Sequence, residues 1–479
     1  MTTRLSPLDA IDPAEAWAPW TPSPSTPWDR KWAGHLYRRA AFGASWPELQ
    51  EALDIGHEAT IDRLLVGREG QDDFDRLMDE LGPDSLQPFQ PNNDGNESAL
   101  QSWWLHRLIQ TMHPLRERMV LFWHNHFATS ILKVRQPGLM KQQNVLIRRH
   151  ALGKFAPFLL EISRDPAMLI WLDGNSNSRG KPNENYAREV MELFTLGVGH
   201  YSETDVREAA RAFTGWHTDG QKFTLNHFQH DDGKKTLLGQ TGDWNGEDVV
   251  RIVLEQPAAA RFLIRKLYRY LISEGETPSD ALVEPLAARY RDSGYDTAEL
   301  VGTMLRSRLF FSDQAYRQRI KSPVEYVIGL LRGLEASVEP SADYSMQQQP
   351  RLMDGLGQSL FAPPNVKGWT GGEAWLNSAT LLARHNLAWK VVQGTQGPSG
   401  IKSNPSALVR KYTTSRDAKG QVDFLFDLLL QPAEGEVDER AIGKLVEFLS
   451  QGKPSTKPPE RLVRETIHAL LLMPEYQLS

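Results

Sequence analysis

Apolar positions recur at three- and four-residue spacing along most of this chain, the period of a helix that buries one face. The spacing predicts helices over 98–127, 138–171, 184–197, 202–214, 245–273, 278–307, 323–336, 371–392, 420–430, 437–450 and 457–473. The first helical signal comes in SWPELQEAL, where Ser45 caps, Glu48 completes a capping box and Pro47 occupies the first turn. Gly197–Gly199 and Pro363–Pro364 mark breaks. Strand character is confined to KFTLNHFQHDDGKKTLLG, residues 222–239, where two short β-prone runs flank Asp232-Gly233. The predicted fold is mainly α, an irregular multi-helix array with one small β-hairpin insert near 222–239.

The same pattern divides the chain. Residues 1–30, rich in Pro, Ser and Trp without periodicity, read as an extended N-terminal arm. Residues 31–392 form the helical core with its hairpin insert. The Gly-, Ser- and Lys-rich stretch 393–420 reads as a flexible connection to C-terminal helices, 421–479, packed on the core. No solenoid period is present.

Composition narrows the function classes. With 479 residues, 40% of them hydrophobic and 24% charged, the chain can bury a large core. A net charge of −6, with arginines interleaved among acids, predicts no nucleic-acid partner. The absence of cysteine excludes disulfides, thiolate metal sites and cysteine nucleophiles. The N-terminus has no basic segment followed by an apolar run, and no stretch approaches a membrane span. The expectation is therefore a cytoplasmic protein, or one exported with a leader-bearing partner. No GxSxG elbow, Walker loop, HExxH or strand-linked GxGxxG occurs.

The candidate chemistry gathers in WLDGNSNSRGKPNENYAREVMELFTLGVG, residues 171–199. Asp173, Asn175, Asn177 and Glu184 stand at relative positions one, three, five and twelve, the ligand spacing of an EF-hand calcium loop. Ser178 stands where that motif needs glycine at position six, and Gly180 follows two residues later. The spacing points to Ca2+ or another divalent cation; the competing reading is a polar surface loop with Asn183 as helix cap. On the next helix, Asn185, Arg188, Glu189, Glu192 and Leu196 share a side opposite Tyr186, Val190, Leu193 and Phe194. Glu189 and Glu192, one turn apart, suit acid/base catalysis, with Arg188 as a substrate-binding cation. The plainer reading is a solvated amphipathic face in which Arg188 pairs with Glu192.

Two histidine groups follow. His124 and His126, two residues apart, diverge on a helix; His126 falls with Met119 and Phe122 on a core face and reads as a core histidine. In HFQHDDG, His230 and Asp231 offer a base with its orienting carboxylate, against the reading of a plain Asp-Gly turn. Trp369 and Trp375, in PPNVKGWTGGEAW, line a binding groove or plug the structure.

HLYRRAAFGASWPEL, PLRERMVLFWHNHFATS, the run from DPAMLIWLDGNSNSRG through AARAFTGW, HDDGKKTLLG, SPVEYVIGLLRGL and LFAPPNVKGWTGGEAWLNSATLLARHN together resemble the bacterial family called domain of unknown function 1800, over nearly the whole chain. The resemblance implies no chemistry of its own. It implies a partner: genes of that family often lie beside those of a sulfatase-like family, domain of unknown function 1501, whose members tend to carry twin-arginine leaders. Two functions are therefore expected. One is a metal-supported enzyme of hydrolytic type, with Glu189, Glu192, His230 and Asp231 catalytic. The other is a non-catalytic binding or escort protein for the sulfatase-like partner.

Overall fold

Proline and glycine cut the long predicted helices into shorter ones. The structure, a computed structural model, describes residues 8–82, 95–338, 353, 355–394, 401–433, 435–451 and 458–479. The 98–127 signal resolves into helices Gly95–Gln110 and Pro114–His126, because Pro114 lacks an N–H and starts a helix far better than it continues one. Pro137 and Pro166 likewise open Pro137–His150 and Pro166–Trp171, with Phe155–Ser163 between them. Pro257 separates Gly246–Leu254 from Pro257–Leu271, and a turn through Gly294 separates Asp280–Asp292 from Thr297–Arg306.

The helix Pro114–His126 runs through the middle of the core. It packs on Pro137–His150, His57–Val66, Gly95–Gln110 and Arg30–Ala40, and is buried almost all round. A helix in that position must neutralise its polar residues internally. Glu117 does so with Arg148 at 2.9 Å, and Arg118 pairs with Glu325. Trp123 sits among Phe127, Phe155 and Phe158 and donates its indole N–H to the Ala151 carbonyl at 2.9 Å.

The β insert is present but differently closed. It comprises two antiparallel hairpins, Trp216–Thr218 with Phe223–Leu225 and Lys235–Leu237 with Gln240–Gly242. Asp219 closes the first turn by accepting the Gln221 and Lys222 N–H groups at 2.9 Å, and Gly239, at φ 83°, closes the second. Asp232-Gly233 joins the two hairpins. A further pair, Ser337–Val338 with Ile401–Lys402, ties the 393–420 stretch to the core, and Pro405–Tyr412 within it is helical. Residues 395–400 of that stretch lie outside the described residues.

The described part of the N-terminal arm lies on the core. Trp17 donates to the Leu282 carbonyl at 2.7 Å, and Trp20 stacks on Phe311 at 4.4 Å. At the other end Glu460–Leu471 packs on Ser378–Gln393. The terminal backbone pairs with Arg319 and Lys321, through Ser479 N to Arg319 O at 2.8 Å and Lys321 N to Gln477 O at 2.9 Å. Among the described residues no helix is long and apolar enough to cross a membrane.

Candidate functional site

The oxygen-rich loop works as a fastener. Asn175 bonds both backbone polar groups of Thr218, accepting its N–H at 2.7 Å and donating to its carbonyl at 2.9 Å. Asn177, 4% exposed, accepts from Asn183 N at 2.9 Å and donates to Ala210 O at 3.0 Å. Asp173 pairs with Lys133 at 3.0 Å, and Glu184 with Arg188 at 3.0 Å. The amide oxygens are thus committed to backbone N–H groups and the carboxylates to cations. The gap beside the loop, walled by Leu169, Tyr186, Phe213 and Trp216, measures about 10 Å³. Among the described residues no group of three or more His, Asp or Glu is arranged to hold a metal ion.

His230 and Asp231 anchor the junction between the hairpins. The His230 Nδ1–H donates to the Thr214 carbonyl at 2.9 Å. Asp231 takes the Arg211 Nε–H at 2.8 Å and the Gly233 N–H at 2.9 Å. The Arg211 guanidinium is the main reason its carboxyl is held down at about 2.

The carboxylate helix changes geometry at its middle. Asn185–Glu189 is α-helical and Val190–Thr195 is a π-helix, closed by Leu196 N to Met191 O at 2.8 Å. Such widened turns are rare and concentrate at functional sites. Here the Leu193 and Phe194 carbonyls accept hydrogen bonds from outside the helix, from Lys266 Nζ and His126 Nε2, each at 3.1 Å. The stripe does not act as a unit. Arg188 is taken by Glu184 and Glu203, so the expected pair with Glu192 does not form; Glu192 instead accepts from the Tyr201 hydroxyl at 2.7 Å. Glu189 is half-buried and has no hydrogen-bond or ion-pair partner among the described residues. Burial, then the charge of Glu192, push its carboxyl above the ordinary range, against the pull of Arg188 and Lys367.

Lys367 belongs to the wall of a cleft of about 430 Å³ on the other side of the π-helix carbonyls. Leu121, Phe122, Tyr270, Trp369 and Trp375 supply its apolar lining. The two tryptophans are 8% and 7% exposed, so each plugs the structure with most of its ring and offers the remainder to the cleft. Trp369 is fixed from below: its N–H donates to Asn125 Oδ1 at 2.7 Å, and its carbonyl accepts from Asn125 Nδ2 at 3.3 Å. Gly368, at φ 77°, makes that approach feasible, since a Cβ there would fall 2.1 Å from Asn125 Oδ1.

The cleft's charges fall into two sets. Arg319 pairs with Glu325 at 3.1 Å and with Glu274 at 3.2 Å, and Arg118 also pairs with Glu325. This set of two cations and two anions is self-neutralising. Lys266, Arg269 and Lys367 form the other set, and among the described residues none of them is within ion-pair distance of a carboxylate. Lys266 donates to Leu193 O at 3.1 Å and meets His126 Nδ1 at 3.0 Å. Burial lowers its pKa to about 7, and burial, followed by the adjacent Lys266, keeps His126 neutral. A second concavity, about 470 Å³, has its charges already matched: Arg332 with Glu48 at 2.6 Å and Glu335 with Lys411 at 2.9 Å.

Of the residues expected from sequence, Trp369 and Trp375 line this cleft, and Glu189 lies near enough to feel Lys367. Arg188, His230, Asp231 and the four loop residues are not among its lining residues. Lys266 and Arg269 escaped notice because RFLIRKLYRYL reads as an ordinary basic amphipathic helix. The available signal was that Phe262 lies four residues before Lys266, and Arg269 and Tyr270 three and four residues after it.

The family described as protein of unknown function, DUF1800, matches residues 35–478, and the chain belongs to it. Searches of curated proteins and of solved structures gave no match.

Proposed function

We propose that this family member binds a small organic anion in the cleft beneath Trp369 and Trp375 and acts on it at Lys266. The observation that carries the reading is that Lys266, Arg269 and Lys367 line one cleft with no carboxylate within ion-pair distance of any of them among the described residues. Arg269 and Lys367 bring positive charge to a partly apolar cleft, and that charge attracts an anion. The volume lies within the usual size range for small-molecule sites, and the aromatic lining supplies apolar contact beside the charge.

The chemistry follows from the protonation states. Lys266, brought to about 7 by burial, is a base or nucleophile at neutral pH. Glu189, raised by burial and by Glu192 and within reach of the charge of Lys367 at the cleft wall, is a second group whose proton affinity the fold has shifted. The reading keeps the enzyme class expected from sequence and moves its centre from the 173–184 loop to the cleft. The escort reading is the second one: among the described residues the most exposed large apolar side chains, Val66, Val198 and Phe228, are scattered along the chain, and only Leu381, Leu382 and Trp389 share one helix, Ser378–Gln393.

Titration with small carboxylates and phosphate esters, followed by tryptophan fluorescence, tests the binding. At least one class should saturate, and the response should vanish in an Arg269→Ala, Lys367→Ala protein that remains folded by circular dichroism. A wild-type protein that responds to neither class would sink the reading.

A further inference from the structure

Lys266 has a hydrogen-bonding arrangement that suits an amine more than an ammonium. The His126 Nε2 faces the Phe194 carbonyl at 3.1 Å, and a carbonyl can only accept, so that nitrogen carries the imidazole proton. The neutral ring then presents a bare Nδ1 to Lys266 at 3.0 Å. The Leu193 carbonyl, at 3.1 Å, is a second acceptor. An uncharged amine has two N–H bonds and one lone pair. The two acceptors take both N–H bonds, and the lone pair is the one valence left for the cleft that Lys266 lines. An ammonium would instead send a third N–H into the cleft, where no carboxylate lies within ion-pair distance of it among the described residues.

From this geometry we infer that Lys266 condenses with the carbonyl of a small oxo acid whose carboxylate is held by Arg269 and Lys367. The inference rests on the anion-binding reading above and adds a substrate class to it. Arg269 follows Lys266 by three residues on the same helix, and both side chains line the cleft, so one small ligand can meet both. Phe122 and Trp369 then receive its apolar tail.

The bonds balance without a further reactant. The Lys266 lone pair forms the N–C bond as the carbonyl π pair moves to oxygen. One N–H proton passes to that oxygen, giving a carbinolamine. The C–O bond then breaks, the second N–H proton leaves with the hydroxyl as water, and the C=N bond forms. No oxidant, reductant or metal takes part in this step. His126 positions the amine through its bare nitrogen and does not touch the carbonyl carbon.

Phenylpyruvate is the probe, with phenyllactate as the matched anion that has no carbonyl. Full-length protein near neutral pH is mixed with either compound, treated with borohydride, digested and mapped by mass; with no cysteine in the chain, no thiol competes for the carbonyl. One reduced adduct is expected, on the peptide carrying Lys266, with excess phenyllactate suppressing it. Lys266→Arg, which keeps N–H donors but has no nucleophilic amine, should lose the adduct entirely. Arg269→Ala should lower its yield about tenfold, the loss of one hydrogen bond to a charged group. Adduct scattered over surface lysines, with no protection by phenyllactate, overturns the inference. Saturable binding of phenyllactate without an adduct at Lys266 overturns the imine and leaves the anion site standing. Binding of neither compound, by tryptophan fluorescence, removes both.

Discussion

The side-chain amide of Asn125 bonds the N–H and the carbonyl of Trp369 at once, across 244 residues of sequence. It thereby sets one aromatic wall of the cleft from the central helix. Removing those bonds in Asn125→Ala should cost about 1–3 kcal/mol in urea unfolding. The tryptophan emission should shift to the red as the wall loosens. Gly368→Ala should cost at least as much, because a left-handed backbone disfavours a side chain by about 1–2 kcal/mol before the clash with Asn125 is counted. An Asn125→Ala protein with wild-type stability and emission would show that the loop is held elsewhere.

The 173–184 loop separates a structural role from a cation site. Asn177 is buried and serves two backbone groups, so Asn177→Ala should destabilise by about 1–3 kcal/mol. Asp173 has a left-handed backbone, which Asn also tolerates, and its pair with Lys133 is half exposed. Asp173→Asn should therefore change stability by less than about 1 kcal/mol. Thermal melting of both variants and the wild type should be the same in calcium and in chelator. Stabilisation by calcium in the wild type, lost in Asp173→Asn, would restore the ion to the loop.

The contrast between that loop and the cleft shows what the sequence could convey. Helices were legible because each buries a periodic face, and their ends because proline and glycine act locally. Trp369 and Trp375 were legible because glycines crowd around two large rings. For the loop, spacing along a chain records which residues are near, and not what their oxygens already hold. Asn175 is spent on Thr218, which lies 43 positions on. The contacts of Lys266 are hidden in the opposite way: they come from His126, 140 residues earlier, and from the Leu193 carbonyl of the π-helix. Neither relationship leaves a mark in the local pattern.

Glu325 offers a test of the self-neutralising set. It is buried between Arg118 and Arg319, and although burial alone would raise its carboxyl, the two guanidinium groups bring it to about 2. Glu325→Gln leaves two buried cations short of an anion and should cost about 3–5 kcal/mol. The sign with pH follows from the lowered value. The wild-type carboxylate contributes fully above the unfolded value of about 4.3 and loses its contribution as pH falls toward 2. Stabilities of variant and wild type, measured by urea unfolding, should therefore draw together as pH falls from about 4.3 toward about 2. A gap that persists unchanged into acid would show that the cost is steric.

Lys266 gives the complementary pH test at the centre of the cleft. Burial lowers it from 10.5 in an open chain to about 7 in the fold. Between those values the unfolded chain binds a proton that the native protein does not, so stability from this group rises with pH across that window. Below about 7 both states hold the proton, and the native protein carries a buried ammonium at full cost. Lys266→Met removes the titration while keeping an apolar stem, so its stability advantage over wild type should be largest near pH 6.5. By about pH 9 the advantage should have shrunk by at least about 1 kcal/mol. Other titrating groups appear in both proteins and cancel in the difference. Capture of phenylpyruvate by the wild type should rise over the lower part of the same window, with its midpoint near 7, because the free amine is the reacting form. Parallel stability profiles for the two proteins would mean that Lys266 stays an ordinary solvated ammonium, and an amine of that kind would not single itself out for the carbonyl.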